Sequence, residues 1–296
     1  MQHPRIGLVI IGDEILSGKR QDQHLKNANA LLQPRGMKVD WVRILGDEGD
    51  FLVENLRQTF LWSAKHGDIV FCFGGIGATP DDRTRQSAAQ ALGRPIERHP
   101  EAVKEIEAQF GEAAYPKRVL MAEYPQGAKI IPNPFNRVPG FSLFFKCLPP
   151  KNQAELLNHF LPENEMPLNP QYAQDYCGSH HFMPGFPQMA KPMMEWVLDT
   201  YYRALQRPPT VEKAIRLIDG QESEWIDFMN WFEQTHPDLR LFSLPRIDAK
   251  TGQRTIELGV EGTPEAAEKG IQAIQAEAEK RNHAYEAIPD RQAESK

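Results

Sequence analysis

DIVFCFGGIGATPDDRT, from Asp68 to Thr84, holds three structural signals in a row. Ile69 to Phe73 is apolar without alternation, as a parallel strand covered on both faces requires. Gly74, Gly75 and Gly77 follow, where a backbone without Cβ can turn sharply and let a ligand approach its peptide groups. Thr79 then offers a helix N-cap and Pro80 suits the first helical position. Asp81 and Asp82 would fall in the first turn, where carboxylates favour the helix dipole. The helix is expected to run through Ala88, Ala89, Ala91 and Leu92 and to stop at Gly93, ahead of Pro95. Strand, glycine loop and helix N-terminus in this order form an anion cradle.

Upstream, the same pattern recurs. Ile6 to Ile11 is a second unbroken apolar run, closed by Gly12 and the pair Asp13-Glu14. Asp22 to Leu32 has helical spacing and stops before Pro34 and Gly36, Val39 to Leu45 reads as strand, and Phe51 to Ala64 as helix. Strands alternating with helices imply right-handed crossovers and a mostly parallel, doubly wound α/β sheet in three layers. Asp13-Glu14, Asp47-Glu48 and Asp81-Asp82 each lie at or just past the C-terminal end of a strand, the edge where such sheets bind ligands.

Downstream, Glu101 to Phe110 looks helical, while Lys129 to Ile131 and Phe141 to Leu148 are strand candidates. Residues 149–178 read as a proline-containing excursion with a candidate helix over Glu155 to Leu161. A strand over Tyr176 to Met183 ends at Pro184-Gly185, and Met189 to Leu205 is a closing helix. Arg207-Pro208-Pro209-Thr210 marks a boundary, dividing a domain of residues 1–207 from a smaller one of residues 208–296. The second carries a β-α-β-β-α-β pattern, that of an α+β ferredoxin-like unit, and a polar tail.

Composition narrows the function classes. The 296 residues carry 34 Lys plus Arg against 40 Asp plus Glu, so no nucleic-acid partner is expected. No apolar run approaches the roughly 20 residues of a membrane span, and the N-terminus lacks a signal-peptide pattern, so no membrane partner and a cytoplasmic setting are expected. Cys72, Cys147 and Cys177 are scattered, which argues against a disulfide framework or a zinc site.

The glycine loop is not G-x-G-x-x-G, since Pro80 stands where the last glycine would be, and no G-K-[ST] follows. Dehydrogenase and P-loop chemistry are therefore disfavoured. Asp82 is the carboxylate to single out, although a first-turn acid in a capping box with Thr79 would also explain it. Asp47 and Glu48 also suit a solvated loop, and Asp13 and Glu14 capping or surface charge. Their shared rim beside an N–H cradle fits a metal-assisted phosphate site, because magnesium takes one or two carboxylates and completes its shell with water and phosphate. His180 and His181 are adjacent in a strand and point to opposite faces, so they do not bind one ion. Met193, Met194, Trp225, Trp231 and Phe232 are expected in the core, and Cys72 is expected to be an inert small hydrophobe.

GGIGATPDDRT (Gly74 to Thr84) resembles the G-G-[LT]-G-x-x-x-x-D-x-T signature of the molybdopterin-binding fold shared by MoaB, MogA and the N-terminal part of competence/damage-inducible protein A (CinA). Ile11 to Gly18, Pro132-Asn133-Pro134 with Pro139-Gly140-Phe141, and Met183 to Met193 are similar to further CinA-type segments, in the same order. The resemblance covers residues 5 to 205. It implies catalytic and metal-binding roles for Asp82 and Asp47, with Mg²⁺ or another divalent ion. Ligand contacts are implied at Gly74, Gly75, Gly77, Thr79, Asp13, Glu14, Pro184 and Gly185, with Arg137 as a candidate phosphate partner. It further implies a small phosphorylated ligand and a homo-oligomer. The implied activity is ADP-ribose pyrophosphatase chemistry, with adenylylation of molybdopterin or binding without turnover as alternatives. The C-terminal amidase domain of full-length CinA is absent from this sequence, so deamidation is not expected. The chain departs from the CinA pattern at Asp22-Gln23-His24, at Asn136-Arg137-Val138, and at Met189, which stands in place of a glutamate.

Overall fold

The computed structural model describes residues 4–146, 160–161, 176–248 and 251–289. By contact it divides into two compact units: Met1–Leu32 with Lys38–Gln206, and Gln33–Met37 with Arg207–Lys296.

The first unit opens with β1 (Ile6–Ile11), α1 (Asp13–Leu16), α2 (His24–Leu32), β2 (Trp41–Leu45), α3 (Gly49–His66), β3 (Ile69–Phe73) and α4 (Thr84–Leu92). It continues with β4 (Ile96–Arg98), α5 (Pro100–Phe110), β5 (Glu123–Pro125), β6 (Lys129–Ile131), β7 (Gly140–Lys146), β8 (Phe160–Leu161), β9 (Tyr176–Met183) and α6 (Pro187–Tyr201). The main sheet runs β2-β1-β3-β9-β7-β6, with β8 on β7. Pairing is parallel across β2, β1, β3 and β9, and antiparallel from β9 through β7 to β6. Every residue of β1 and β3 is buried, because side chains alternate between two covered faces. Val9, Ile11, Val70 and Cys72 pack with Leu52, Leu56 and Phe60 of α3, Ala88 of α4 and Ile106 of α5. The alternate residues Leu8, Ile10, Phe71 and Phe73 are buried on the other face, where α2 lies beside α6. The sheet between two helix layers is the expected architecture. The residues 96–98 and 123–125, unassigned from sequence, pair as a separate ribbon.

Three expectations change. The helix after the glycine loop begins at Thr84, with Arg83 as its cap, four residues later than the expected cap Thr79. Thr79 and Asp82 close a turn of their own first: the Asp82 N–H donates to the Thr79 carbonyl and the Thr79 N–H to the Asp82 carboxylate, both at 3.0 Å. That turn satisfies the groups that would have started the helix. Phe160 and Leu161, expected to end a helix, pair with Phe145 and Phe144 as strand, while 155–159 lie outside the described residues. Trp231, expected in the core, is 50% exposed, whereas Trp225, Phe232, Met193 and Met194 are buried.

The adjacent histidines do point to opposite faces. His180 Nε2 lies 2.5 Å from Ser63 Oγ of α3, and His181 is bonded to Ser142 Oγ at 2.8 Å and Tyr202 Oη at 2.7 Å. Burial drives both below the ordinary histidine range, His181 to about 3. Cys72 is buried in β3 and its thiol is pushed well up by desolvation.

The second unit contains β10 (Val211–Ile218), α7 (Ile226–Thr235), β11 (Arg240–Ile247), β12 (Arg254–Gly262), α8 (Pro264–Lys280) and β13 (Tyr285–Ala287). Its antiparallel sheet is ordered β11-β12-β10-β13. Ile215, Leu217, Leu258 and Val260 meet Phe228, Phe232, Ile271 and Ile274 of the two helices in a core of its own. This is the expected β-α-β-β-α-β unit.

Candidate functional site

Four parallel strands end level with one another. Ile11 pairs with Leu45, Ile10 with Phe73, and Phe73 with Met183, so Gly12, Gly46, Gly74 and Pro184 emerge on one sheet edge. That edge brings together loops distant in sequence, as an open α/β sheet does at its ligand site.

Gly74 turns the chain with φ +106°, and a Cβ there would collide with the Ile11 carbonyl oxygen. Its N–H is spent on the Met183 carbonyl at 3.0 Å. Gly75 has φ +68°, and a Cβ there would strike the Thr84 hydroxyl. The Gly75 carbonyl accepts the Thr84 N–H at 2.9 Å, and the Gly77 carbonyl accepts Arg85 Nη2 at 2.6 Å. With these carbonyls bound, the N–H groups of Gly75, Ile76, Gly77 and Ala78 have no acceptor among the described residues. Four successive donors are thereby left for a ligand, as at backbone anion sites. The Thr84 hydroxyl behind Gly75 is also buried without a hydrogen-bond partner.

Asp82 stands at the rim of this loop. Its Oδ2 accepts the Thr79 N–H and the Thr79 hydroxyl, and the carboxylate lies against Gly77, where a Cβ would collide with it. The hydrogen bond that supports the capping reading is present, but in a turn ahead of the helix. Hydrogen bonding to Thr79, and then to its own backbone, holds Asp81 below the usual carboxylate range.

Asp47 belongs to a second group of acids. Burial raises its pKa first, followed by the charge of Asp13, a hydrogen bond with the Asp13 carboxyl and a contribution from Asp81. Asp13 reaches this position over Gly46, where a Cβ would come within 2.7 Å of its Oδ1. Glu14 folds back over Gly12, with a Cβ there meeting Oε2 at 2.6 Å. The structure thus couples Asp47 to Asp13 and Asp81, while Asp82 is turned to Thr79 and Gly77. Among the described residues no three His, Cys, Asp or Glu side chains are grouped to hold a metal ion. Asp47, held by Asp13, and Asp82 stand on the edge that carries the unpaired N–H groups, and a cation shared with a bound phosphate needs only one or two protein carboxylates.

Pro184 and Gly185 follow β9 on the same edge, and a Cβ at Gly185 would sit 3.3 Å from the Gly74 Cα. The Gly185 carbonyl lies 3.2 Å from Nε2 of His24, whose ring stacks on Phe73 at 4.3 Å. Burial lowers the His24 pKa against the opposing effects of Asp22 and this carbonyl. Asp22 caps α2 by accepting the N–H groups of His24 and Leu25. A cleft of about 410 Å³ adjoins the loop, lined by Thr79, Asp82, Arg83, Arg85 and Gly49 among others. Arg137 lines a different cleft of about 690 Å³ with Asn133 and Trp196, and its guanidinium is engaged by Glu105 at 2.8 Å.

Arg85 is a site residue that the reading of the sequence passed over, while Thr84 stood in the matched signature and His24 among the departures from the CinA pattern, neither with a role assigned. Arg85 had a signal: it stands three, four and seven residues before Ala88, Ala89 and Leu92, on the buried face of the helix.

Residues 7–204 match the family described as "Probable molybdopterin binding domain". Over 142 residues the chain is 32% identical to a CinA-like protein of Anaeromyxobacter sp. (strain K), an alignment taking in 47% of this chain and 34% of that protein. A CinA-like protein of Myxococcus xanthus (strain DK1622) is 29% identical over 183 residues, 58% of this chain and 42% of that protein. The chain therefore spans well under two thirds of the length of these relatives. A crystal structure of the protein CinA with unknown function from Thermoplasma acidophilum is 20% identical, with a TM-score of 0.49 over 66% of this chain and 96% of that one. Among the described residues no helix is long and apolar enough to cross a membrane.

Proposed function

We propose, because the chain belongs to the probable molybdopterin binding domain family, that it binds a phosphorylated nucleotide or pterin on the Gly75–Ala78 loop and hydrolyses a phosphoanhydride such as that of ADP-ribose. The observation that carries this reading is the run of four unpaired N–H groups beside Asp82, on the edge that also holds the Asp13–Asp47 pair. The loop would hold phosphate oxygens through the N–H groups of Gly75, Ile76, Gly77 and Ala78. Asp82, oriented by Thr79, and Asp47 would be the ligands of a divalent cation, Mg²⁺ or another. Such a cation, when bound, supplies a water of lowered pKa and offsets the charge between the phosphates. As a ligand Asp47 must be ionised, so its proton affinity, raised by burial and Asp13, makes cation binding pH-dependent, and the proton of the attacking water would pass to solvent.

Incubation with ADP-ribose and Mg²⁺ is expected to yield AMP and ribose 5-phosphate, one water being consumed, and a chelator is expected to stop it. Adenylylated pterin and pyrophosphate from ATP plus molybdopterin, with ADP-ribose untouched, would replace hydrolysis by adenylyl transfer. A second reading, ligand binding without turnover, is favoured by Met189. It occupies the position of the family glutamate, and its sulfur faces Asn136 Nδ2 at 3.7 Å. Saturable binding of ADP-ribose with no product after long incubation would select it.

A further inference from the structure

Arg85 lies in the first turn of α4, directly after Thr84, and is 2% exposed. Its Nη2 donates to the Gly77 carbonyl at 2.6 Å, and its Nη1 donates to the carbonyls of Leu120 and Glu123, the latter at 3.2 Å. Nε is buried with no partner. Among the described residues no carboxylate is hydrogen-bonded to this guanidinium. The Glu123 carboxylate is engaged by Arg98 at 3.0 Å, and Asp82 by Thr79.

Burying a cation is expensive; the guanidinium fork ties three carbonyls at once, and Glu123 and Asp82 act on it only through space. The fork brings a full positive charge directly beneath the Gly77 peptide. In a trans peptide the C=O and the following N–H point in opposite directions. Arg85 draws the Gly77 carbonyl inward and so turns the unpaired Ala78 N–H outward; the Thr84 N–H on the Gly75 carbonyl does the same for Ile76. Arg83, the neighbouring cation, is exposed and donates to the Pro80 carbonyl, so solvent screens it.

We propose that Arg85 is a positioning residue that orients the Gly77–Ala78 peptide and charges the loop from beneath, making the site selective for a doubly charged phosphomonoester over a singly charged phosphodiester. This rests on the reading of Gly75–Ala78 as the phosphate cradle; the phosphates of ADP-ribose carry one charge each, so the second charge is the one its cleavage creates. Asp81 and Asp82 on the rim oppose every anion and oppose a dianion most, while the N–H groups attract both ligands, so a preference that disappears with the Arg85 charge belongs to the buried cation.

The test is calorimetric titration of the full chain with AMP and with its 5′-methyl ester, for the wild type, Arg85→Met and Arg85→Lys, with thermal melts alongside. The wild type is expected to prefer AMP by about tenfold, and Arg85→Met to bring the two ligands within about twofold of each other. Arg85→Lys keeps the charge without the fork, so it should retain the preference while binding both ligands more weakly. An altered fold alone would weaken both ligands and leave their ratio unchanged. An AMP preference that survives in folded Arg85→Met overturns the proposal. Should Arg85→Met not fold, loss of the preference in folded Arg85→Lys overturns it. A wild type that binds neither ligand refutes the cradle itself, a result distinct from failure of the Arg85 role.

Discussion

Acidification from pH 7.5 to pH 5 should destabilise the first unit through His180 and His181, both wholly enclosed around β9. An unfolded chain protonates each near its ordinary pKa of about 6.5. The folded chain resists, because desolvation disfavours the imidazolium at both positions, and for His180 the charges of His181 and Arg43 add to it. The folded pKa values lie below the unfolded ones, so the stabilisation is complete above the unfolded pKa and is lost as the pH falls toward about 3, the value for His181. Each proton taken up only on unfolding costs about 1.4 kcal/mol per pH unit, which integrates to roughly 2 kcal/mol per histidine over this interval and roughly 4 kcal/mol for the pair. Urea unfolding at half-unit pH steps, followed by circular dichroism, reads the slope directly. His180→Gln and His181→Gln should each flatten it by about one proton, whatever their effect at neutral pH. His24, also lowered by burial, acts in the same direction in wild type and variants alike. A stability that is flat across the interval, or variants with the wild-type slope, would refute the argument that these rings are buried neutral.

Asp82→Asn keeps one acceptor for Thr79, so it should cost no more than about 1 kcal/mol in a thermal melt while abolishing product formation from ADP-ribose. A sharp fall in melting temperature with intact specific activity would reduce Asp82 to a turn-former. Gly75→Ala should destabilise by about 1–3 kcal/mol, through its positive φ and the Thr84 hydroxyl, and should weaken AMP binding by calorimetry. Equal AMP affinity would remove the loop from the site. Nucleotide binding should be stronger with Mg²⁺ than with excess chelator, and should weaken on acidification at a pH above the usual carboxylate range, because Asp47 titrates high. Asp47→Asn should remove this acid-side loss, and metal-independent affinity in the wild type would exclude the cation.

The main strands were legible because burial on both faces leaves a plain mark, as in Ile6–Ile11 and Ile69–Phe73. Where competing local bonds decide, the text of the chain was ambiguous. Thr79, Pro80 and the two aspartates read as a helix start, yet a closed Thr79–Asp82 turn uses the same donors and acceptors. The three acidic strand ends could be placed on one rim from topology, but which acids meet could not. Gly46 admits Asp13 to Asp47, and Gly77 receives Asp82 instead.

The sequence by itself determined the layer order, the second β-α-β-β-α-β unit and the family, because hydrophobic period and glycine spacing are local properties written residue by residue. Only the tertiary structure decided that Gly75 to Ala78 present four unpaired N–H groups. The Gly75 and Gly77 carbonyls are held from behind by Thr84 and Arg85, and that depends on where α4 docks. A side chain's charge is visible in the chain, whereas its burial and the peptide it orients are set by packing.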